Sequence, residues 1–440
     1  ESYFGRINLS YLDRYILNVT MRSDGSSRFA PSDRYGYFPS VSLGWNVSKE
    51  SFWKFPQTDL KFRLSYGKTG NQDGIGNYAW QPLMSGGINY GNNSGMAVTS
   101  MGNNKLTWET ADQYDFGFDL GFWNGKLNMI ADIYLKNTNN LLYSMPLHGT
   151  SGFTSITSNI GSMRNYGVEF SINGHLNIGK VNWTSSFNIS HNKNKLTKLL
   201  GDDLLPIGSN RALKVGEELG AFYLFQMDGL YQYDGEVPQP LYDLGVRAGD
   251  VKYHDADNNG IINDNDRVLT GSSNPDFFGG WNNTFKYKGF QLDVFFTYMY
   301  GNDVYAEWAV TATRPGYRMA ITEDVAKNRW TAPGSSDKYP RAVNTLCGHN
   351  SKNSTRFLED GSFIRLRSLT FSYTFPQVML QKICLKGLRL YVQGDNLLLF
   401  SKYSGWDPEV SKNMDPQYFG VDLYGVPPSR SVNFGINLSF

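Results

Sequence analysis

The stretch Val432–Phe440 reads Val-Asn-Phe-Gly-Ile-Asn-Leu-Ser-Phe and closes the sequence. Apolar and polar residues alternate at every step, which is the period of a β-strand with one apolar and one polar face. Soluble proteins rarely end on an uncovered apolar strand, whereas the last strand of a transmembrane β-barrel turns its apolar face to lipid. The stretch therefore predicts an all-β fold, an antiparallel up-and-down transmembrane barrel in a cell outer membrane.

Composition agrees with a barrel but also with other β-rich folds. Of the 440 residues 15% are aromatic, 18% are charged and 46 are glycine. No stretch approaches the roughly 18 apolar residues that a membrane helix needs. The same composition suits a secreted β-sandwich or propeller. A net charge of +1 gives no indication of nucleic-acid binding.

The alternation recurs along most of the chain and predicts about thirteen strands. Near Phe363–Phe375 the apolar positions change parity, and one extra residue near Arg367 or Ser368, a β-bulge, would restore a single apolar face. The other predicted strands are Tyr3–Tyr11, Tyr15–Arg22, Val41–Val47, Leu60–Tyr66, Phe116–Phe122, Leu127–Lys136, Tyr166–Asn173, Val181–Ser190, Trp281–Tyr287, Phe290–Tyr300, Leu388–Gln393 and Val432–Phe440.

The connections between these strands tend to alternate between short and long, as in a barrel with short periplasmic turns and long extracellular loops. A sandwich or propeller does not require this pattern, and repeats of fixed period are absent. Bacterial barrels have even strand numbers, so the odd count predicts further strands upstream. We interpret 1–440 as one partial domain whose edge strands cannot close on each other. The predicted long loops are Gly25–Tyr37, Asn71–Leu106, Thr138–Ser162, Lys193–Gly279, Asn302–Gly361 and Ser401–Ser429.

The alternation also predicts the two faces of the wall, because a shift of one residue would invert a whole strand. The side chains expected to face lipid are Phe62, Leu64, Phe118, Leu120, Val168, Phe170, Phe434 and Ile436. Those expected to face the lumen are Arg63, Asp119, Glu169 and Asn433.

Short motifs in a fixed order resemble the carboxy-terminal half of SusC/RagA-type TonB-dependent transporters of Bacteroidetes. Each motif is unspecific alone, and the order and spacing carry the resemblance. The motifs are Asp24–Phe29, Arg34–Ser40, Gly44-Trp45, Leu60–Gly67, Thr69–Gln72, Asn159–Gly161, Asn165–Glu169, Gly229–Tyr231, Asn328–Trp330, Tyr339–Arg341, Gly361–Arg367, Asp395–Leu397 and Gly405–Glu409.

The resemblance implies a function and partners. It implies a barrel of about twenty-two strands that imports large nutrients, oligosaccharides or oligopeptides, across the outer membrane. It also implies an amino-terminal plug that couples to the TonB complex, and a SusD-like surface lipoprotein that acts as a lid. By this resemblance, we expect the plug, the TonB box and the early strands to lie outside this sequence. We therefore expect the remaining amino-terminal part of the transporter to be a partner of these strands.

The segment Asp255–Asp266 has the spacing of a calcium-binding loop, with Gly260 at the sixth position for the sharp turn. It ends on Asp rather than Glu and has no predicted flanking helices. The alternative is an Asx-rich turn held by its own hydrogen bonds. We expect one calcium ion to order the loop structurally. The predicted ligands are Asp255, Asp257, Asn259, the carbonyl of Ile261, Asn263 and Asp266.

Aromatic residues are frequent in the long loops and could bind sugar rings or peptide side chains. The alternative is that they pack the loops together or form the interfacial belt of the barrel. The candidate substrate-binding residues are Tyr78, Trp80, Tyr90, Tyr231, Tyr305, Trp308, Trp330 and Trp406.

No catalytic motif is present, so we expect no enzymatic activity. A passive porin and a secreted glycan-binding protein remain alternatives to an importer. The two cysteines are too few for a disulfide framework. The topology places Cys347 outside the cell and Cys384 in the periplasm. A wall about 25 Å tall would separate them, so they should not be bonded to each other.

Overall fold

The computed structural model describes residues 1–201, 204–316, 319–343, 348–380, 385–414 and 418–440. Cys347 and Cys384 both lie outside this part of the chain, so their predicted separation stays a prediction. The chain divides into two compact units. The first comprises Glu1–Asp203, Lys214–Glu217 and Trp281–Lys288, and the second comprises Leu204–Leu213, Glu218–Gly280 and Gly289–Phe440.

Strands dominate both units. In chain order they are β1 (Ser2–Tyr11), β2 (Tyr15–Gly25), β3 (Tyr35–Asn46), β4 (Thr58–Asn71), β5 (Leu83–Gly86), β6 (Met96–Ser100), β7 (Glu109–Phe122), β8 (Leu127–Pro146), β9 (Ser155–Ile178), β10 (Val181–Leu199), β11 (Leu204–Ile207), β12 (Arg211–Lys214), β13 (Ala221–Phe225), β14 (Met227–Leu230), β15 (Val251–Tyr253), β16 (Arg267–Ser272), β17 (Phe277–Tyr287), β18 (Phe290–Tyr300), β19 (Asp303–Ala306), β20 (Leu358–Asp360), β21 (Phe363–Thr374), β22 (Gly387–Ser401), β23 (Val421–Asp422) and β24 (Ser431–Ser439). The short helices are α1 (Gln239–Asp243), α2 (Ala309–Ala312), α3 (Glu323–Asn328) and α4 (Gln377–Leu380).

The large antiparallel sheet confirms the predicted strand count. In the first unit the order of neighbours is β1-β2-β3-β4-β7-β8-β9-β10, followed by Trp281–Lys288 of β17. In the second unit the order is β18-β21-β22-β24. Neighbours in the sheet are thus neighbours in the chain apart from the small loop strands, which is the topology of an up-and-down barrel. That the edge strands β1 and β24 pair with strands outside this chain rather than with each other stays a prediction.

The two faces of the wall differ as the alternation predicts. On β4 and β7, Phe62 stacks on Phe116 with ring centroids 6.0 Å apart. On the opposite face Arg63 forms ion pairs with Asp119 at 3.0 Å and with Asp132 at 2.9 Å. A row of charges on one face and stacked rings on the other is the expected division between the lumen and lipid.

Several strands are longer than predicted. The interpretation of Thr138–Ser162 as a long loop is wrong, because β8 and β9 remain paired up to Pro146 and Ser155. Their register shifts between Asn139 and Leu142, where the ladder becomes irregular. Alternation reports only the part of a strand that has one apolar face, so strand ends with two polar faces carry no such signal.

The predicted β-bulge is confirmed. The pairing of β21 with β22 shifts between Leu366 and Ser368, and the pairing of β18 with β21 shifts opposite, between Phe295 and Phe296. The extra residue is Arg367, whose side chain reaches Glu409. The bulge restores one apolar face along β21, as the change of parity required.

The connections of the second unit contain a folded layer of their own. It includes the sheets β11-β12-β13-β16, β14-β15 and β20-β19-β23. Two apolar cores lie here, one around Phe222, Tyr305 and Phe357 and one around Phe225, Val251 and Tyr253. Among the described residues no helix is long and apolar enough to cross a membrane.

Candidate functional site

The acidic loop Asp255–Asp266 lies in the second unit between β15 and β16. Short side chains that accept hydrogen bonds from nearby backbone N–H groups shape it. Asp255 accepts from the N–H of Asn259 at 3.1 Å and from the N–H of Gly260 at 2.7 Å. These bonds, the one from Gly260 above all, hold the pKa of the Asp255 carboxyl below its usual range.

The other end of the loop is fixed by Asp266, which is fully buried. Its Oδ1 accepts from the N–H of Ala256 at 2.9 Å, and its Oδ2 accepts from the N–H of Asn263 at 2.8 Å. Asn263 in turn accepts from the N–H of Asn265 at 2.9 Å, which completes a capping box on the single turn 264–266. The last residue of the loop is therefore held beside the first.

Three of the predicted ligands converge. Asp255, Asp257 and Asp266 each offer a carboxylate oxygen, and these atoms lie within 4.8 Å of one another. Like charges at this separation repel, and a cation between them would offset the repulsion. Of the other predicted ligands, Asn259 turns its Oδ1 to the N–H of Ile261 at 2.8 Å. The donor set is all oxygen, as a calcium site requires.

Basic side chains stand beside the loop without entering the carboxylate cluster. Lys352 donates from Nζ to the carbonyl of Ile262 at 3.3 Å. Burial lowers the pKa of Lys352, an effect that the nearby carboxylates of Asp264 and Asp266 oppose. Arg267 pairs with Asp264 at 3.1 Å. The protein thus supplies part of the charge compensation by itself.

Asp250 is the centre of a buried hydrogen-bonded junction that no motif in the sequence predicted. Its buried carboxylate accepts from Arg341 through Nε at 2.8 Å and Nη2 at 2.9 Å. It also accepts from Nδ2 of Asn350 at 2.8 Å and from the N–H of Arg247 at 2.9 Å. Tyr339–Arg341 is one of the motifs that resemble SusC/RagA-type transporters. That motif was the signal in the sequence that could have singled out Arg341. Its partner is 91 residues away, beyond what one sequence reveals.

A second buried ion pair joins β21 to the connection that follows β22. Arg365 donates from Nη2 to both carboxylate oxygens of Asp407, at 2.6 and 2.8 Å. Arg365 also pairs with Glu409 at 3.0 Å, and Glu409 pairs with Arg367 at 2.9 Å. Two further motifs of the resemblance, Gly361–Arg367 and Gly405–Glu409, are thus the two halves of one structural junction.

Two candidate substrate-binding tyrosines lie inside the loop layer. Tyr305 is 0% exposed, and its hydroxyl donates to Oδ1 of Asn353 at 2.9 Å. Tyr231 is 3% exposed and belongs to the core around Val251. Burial raises the pKa of both phenols. In this structure neither ring offers a surface to a substrate, and both have the packing role that was the alternative.

Two candidate tryptophans are also engaged by the protein. Trp308 packs against the core around Tyr305 and donates from Nε1 to the hydroxyl of Tyr403 at 3.1 Å. Trp330 donates from Nε1 to Oε1 of Gln232 at 3.1 Å. Its ring also lies over Gly249, where an added Cβ would stand 2.4 Å from the ring and φ is +85°. Only glycine accepts both constraints, so Gly249 and Trp330 depend on each other.

Most of the remaining candidates are more accessible to solvent than these four, and they are divided between the two units. Tyr90 is 90% exposed and Tyr78 is 49% exposed, and both lie with the half-buried Trp80 in the first unit. Trp406 is 80% exposed and lies in the second unit. Trp406 immediately precedes the buried Asp407, so its backbone is fixed while its indole stays free. Accessibility therefore separates Tyr78, Tyr90 and Trp406 from the other five.

The chain matches a known family over most of its length. Residues 1–397 match the family described as TonB dependent receptor-like, beta-barrel. The chain belongs to this family. The predicted resemblance, the all-β barrel fold and the outer-membrane location are thereby confirmed.

Curated relatives support the same assignment. TonB-dependent receptor P3 of Formosa agariphila is 34% identical over 461 aligned residues, which cover 100% of this chain and 45% of that protein. TonB-dependent receptor SusC of Bacteroides thetaiotaomicron is 31% identical over 470 residues, with 100% and 43% covered. The chain therefore spans less than half the length of these relatives.

A solved structure agrees with the fold. The RagAB peptide transporter superposes with a TM-score of 0.86 at 27% sequence identity, covering 100% of this chain and 47% of the matched chain. RagAB described as a peptide importer in the open-open state matches with a TM-score of 0.83. Both units of the chain thus have counterparts in the RagAB structure.

Proposed function

We propose that this chain forms part of the barrel of an outer-membrane importer for large nutrients, either oligosaccharides or oligopeptides. The observation that carries the proposal is the superposition on the RagAB transporter along the whole chain. The identity of 31% to SusC over the whole chain supports it independently. The loop layer of the second unit adds a folded surface that a plain wall would lack.

The same proposal includes partners. A SusD-like surface lipoprotein would cover the extracellular mouth, and the remaining amino-terminal part of the transporter would supply the plug. The TonB complex would act through that plug. The wall meets membrane lipid, and nucleic acid is not among the partners that we propose. No catalytic residue is assigned, since the family is one of receptors and transporters rather than enzymes.

Substrate class is tested by uptake rather than by sequence. Cells carrying the complete transporter gene and cells lacking it would be given defined mixtures of oligosaccharides and oligopeptides. Mass spectrometry of the medium would then follow depletion of each component. We expect either the oligosaccharide mixture or the oligopeptide mixture to be depleted from the medium, and only by the cells that carry the gene. Equal depletion of both mixtures by the two strains would overturn the proposal.

The connections of the second unit distinguish the proposed importer from a passive porin. The connections of the second unit carry two buried cores and buried ion pairs, so they form a compact layer rather than short open turns. A porin would let small solutes pass without energy. Transport that continues at full rate after collapse of the proton gradient would favour the porin.

We also propose that one calcium ion binds the loop Asp255–Asp266. The convergence of Asp255, Asp257 and Asp266 supports it, together with the all-oxygen donor set. External sites of this kind bind calcium with a Kd of about 0.1–1 mM. At ~1 mM calcium and a Kd of ~0.1 mM, the linked stabilisation is about 1.4 kcal/mol. The ion would order the loop, a structural role.

Calorimetry on the complete transporter tests the ion. The double substitution Asp255→Ala and Asp257→Ala should remove one calcium-binding event. Asp264→Ala is the matched control, because its carboxylate lies in the same loop and pairs outward with Arg267. If the double variant binds calcium like the wild type, the loop is only an Asx-rich turn and the calcium proposal fails.

A further inference from the structure

Two ordered rows of side chains cross the apolar face of the first unit next to its short turns. The row nearest the turns is aromatic and the next row is mainly leucine. Strand pairing defines both, since each residue is the direct cross-strand partner of the next. The aromatic row is Tyr11, Tyr15, Trp45, Phe62 and Phe118, and the second row is Leu9, Leu17, Leu43, Leu64 and Phe116.

A shallow apolar groove runs along these rows. Its volume is about 670 Å³, and Tyr11, Leu17, Leu43, Trp45 and Leu64 are among the residues that line it. Leu43 and Leu64 are 51% and 52% exposed, on a face that no described residue of this unit covers. A face of this kind in an outer-membrane barrel is in contact with lipid. The groove is a specific site on this face where a lipid chain would contact the protein.

The rim of the groove beside the turns is polar and fixed. Glu50 accepts from the hydroxyl of Tyr15 at 2.6 Å and from Nε1 of Trp45 at 3.1 Å. Its second oxygen pairs with Nη1 of Arg14 at 3.3 Å. Apolar rings with their polar atoms held at one level are typical of a membrane–water interface. The level of the headgroups is therefore set along this rim.

The connection that contains Glu50 carries further signs of an interface. Phe52 and Phe55 are 59% and 62% exposed, and Lys49 and Lys54 are exposed beside them in the chain. Trp53 donates from Nε1 to the carbonyl of Phe55 at 3.0 Å, which keeps this short connection compact. Exposed rings alternating with ammonium groups suit insertion among phosphate headgroups.

We propose that this groove and rim bind one phospholipid of the periplasmic leaflet. An acyl chain would extend from the rim across the aromatic row onto the leucine row, and the phosphate would meet Lys49 and Lys54, with Arg14 at the rim. The opposite charge of the ammonium groups and the phosphate decides for a phospholipid over an uncharged lipid. The inference needs only the outer-membrane wall, so it does not depend on the transport function proposed above.

Native mass spectrometry of the complete transporter tests the site. The delipidated protein would be titrated with phosphatidylglycerol and, separately, with diacylglycerol, which has the chains but no phosphate. Leu43→Trp fills the middle of the leucine row with an apolar side chain and should reduce retained phosphatidylglycerol about fivefold or more. The double substitution Lys49→Gln and Lys54→Gln should reduce retained phosphatidylglycerol by a similar factor. It leaves the apolar side chains of the strands unchanged.

Matched controls come from the same unit. Val168→Trp places the same indole at a similarly exposed wall position outside the groove, and Lys180→Gln removes an exposed ammonium at another short turn. Both should retain phosphatidylglycerol like the wild type, and the wild type should prefer it to diacylglycerol. Full retention by Leu43→Trp, or an equal loss in Val168→Trp, would overturn the site. If the lysine double variant retains phosphatidylglycerol like the wild type, the proposed headgroup contact is wrong. This result counts even if Leu43→Trp fails to assemble.

Discussion

The buried pair of Arg365 and Asp407 should hold the connection after β22 against the wall. The two side chains are 3% and 4% exposed, so solvent screens little of their attraction. Breaking a buried pair by removing one partner costs about 3–5 kcal/mol, because a charge is left buried. Asp407→Ala leaves Arg365 with Glu409, which predicts the lower end of that range. Among the described residues, Arg365→Ala leaves Asp407 with a hydrogen bond from the N–H of Glu409, which predicts the upper end.

Hydrogen exchange on the complete transporter measures how much Asp407→Ala and Arg365→Ala destabilise the connection after β22. A loss of about 3 kcal/mol corresponds to a fall in amide protection of about two orders of magnitude. The fall should be confined mainly to residues 401–429. Arg367→Ala is the control, because its pair with Glu409 is about one-third exposed and contributes only about 0–1 kcal/mol. If both buried-pair variants change protection no more than the control does, the pair does not hold the connection.

Three further predictions concern other parts of the chain. Leu120→Arg should destabilise the wall by only about 0–1 kcal/mol in unfolding measurements in lipid, because Leu120 lies nearer the turn after β7 than Phe118 of the aromatic row, and a cost of about 2–4 kcal/mol would place it at the bilayer midplane instead. Tyr305→Ala should cost about 3–5 kcal/mol, whereas Trp406→Ala should stay within about 0.5 kcal/mol, and a reversed order of melting temperatures would contradict their burial. Burial lowers the pKa of His349, so the unfolded chain binds its proton more readily. Stability should therefore fall as the pH drops below about 6.5, and His349→Gln should remove that part of the fall between pH 7.5 and 5.5.

The wall was predictable because lipid imposes a period of two on every strand. The alternation predicted the opposite orientation of neighbours such as Phe62 and Arg63, and a single change of parity predicted the bulge at Arg367. Where the strands extend past the region of alternation, as β8 and β9 do, the signal disappears. The prediction of a loop at 138–162 failed for that reason.

The loop layer was less predictable because its structure depends on partners far apart in the chain. The spacing of the acidic loop predicted the convergence of Asp255 and Asp266, since both lie within one short segment. Tyr305 could not be distinguished from Trp406 by sequence, because an aromatic residue suits a core and a binding surface equally well. The pairing of Arg365 with Asp407 likewise spans 42 residues and has no local signal.

Energy dependence of uptake is the most direct test of the central claim, that this chain belongs to an active importer. Cells with the complete transporter would be given the nutrient mixture that its gene depletes, with and without an uncoupler of the proton gradient. The importer predicts that uptake stops with the uncoupler and is absent in cells lacking the gene. Gene-dependent uptake that continues at the same rate with the uncoupler would contradict the claim and identify a passive pore.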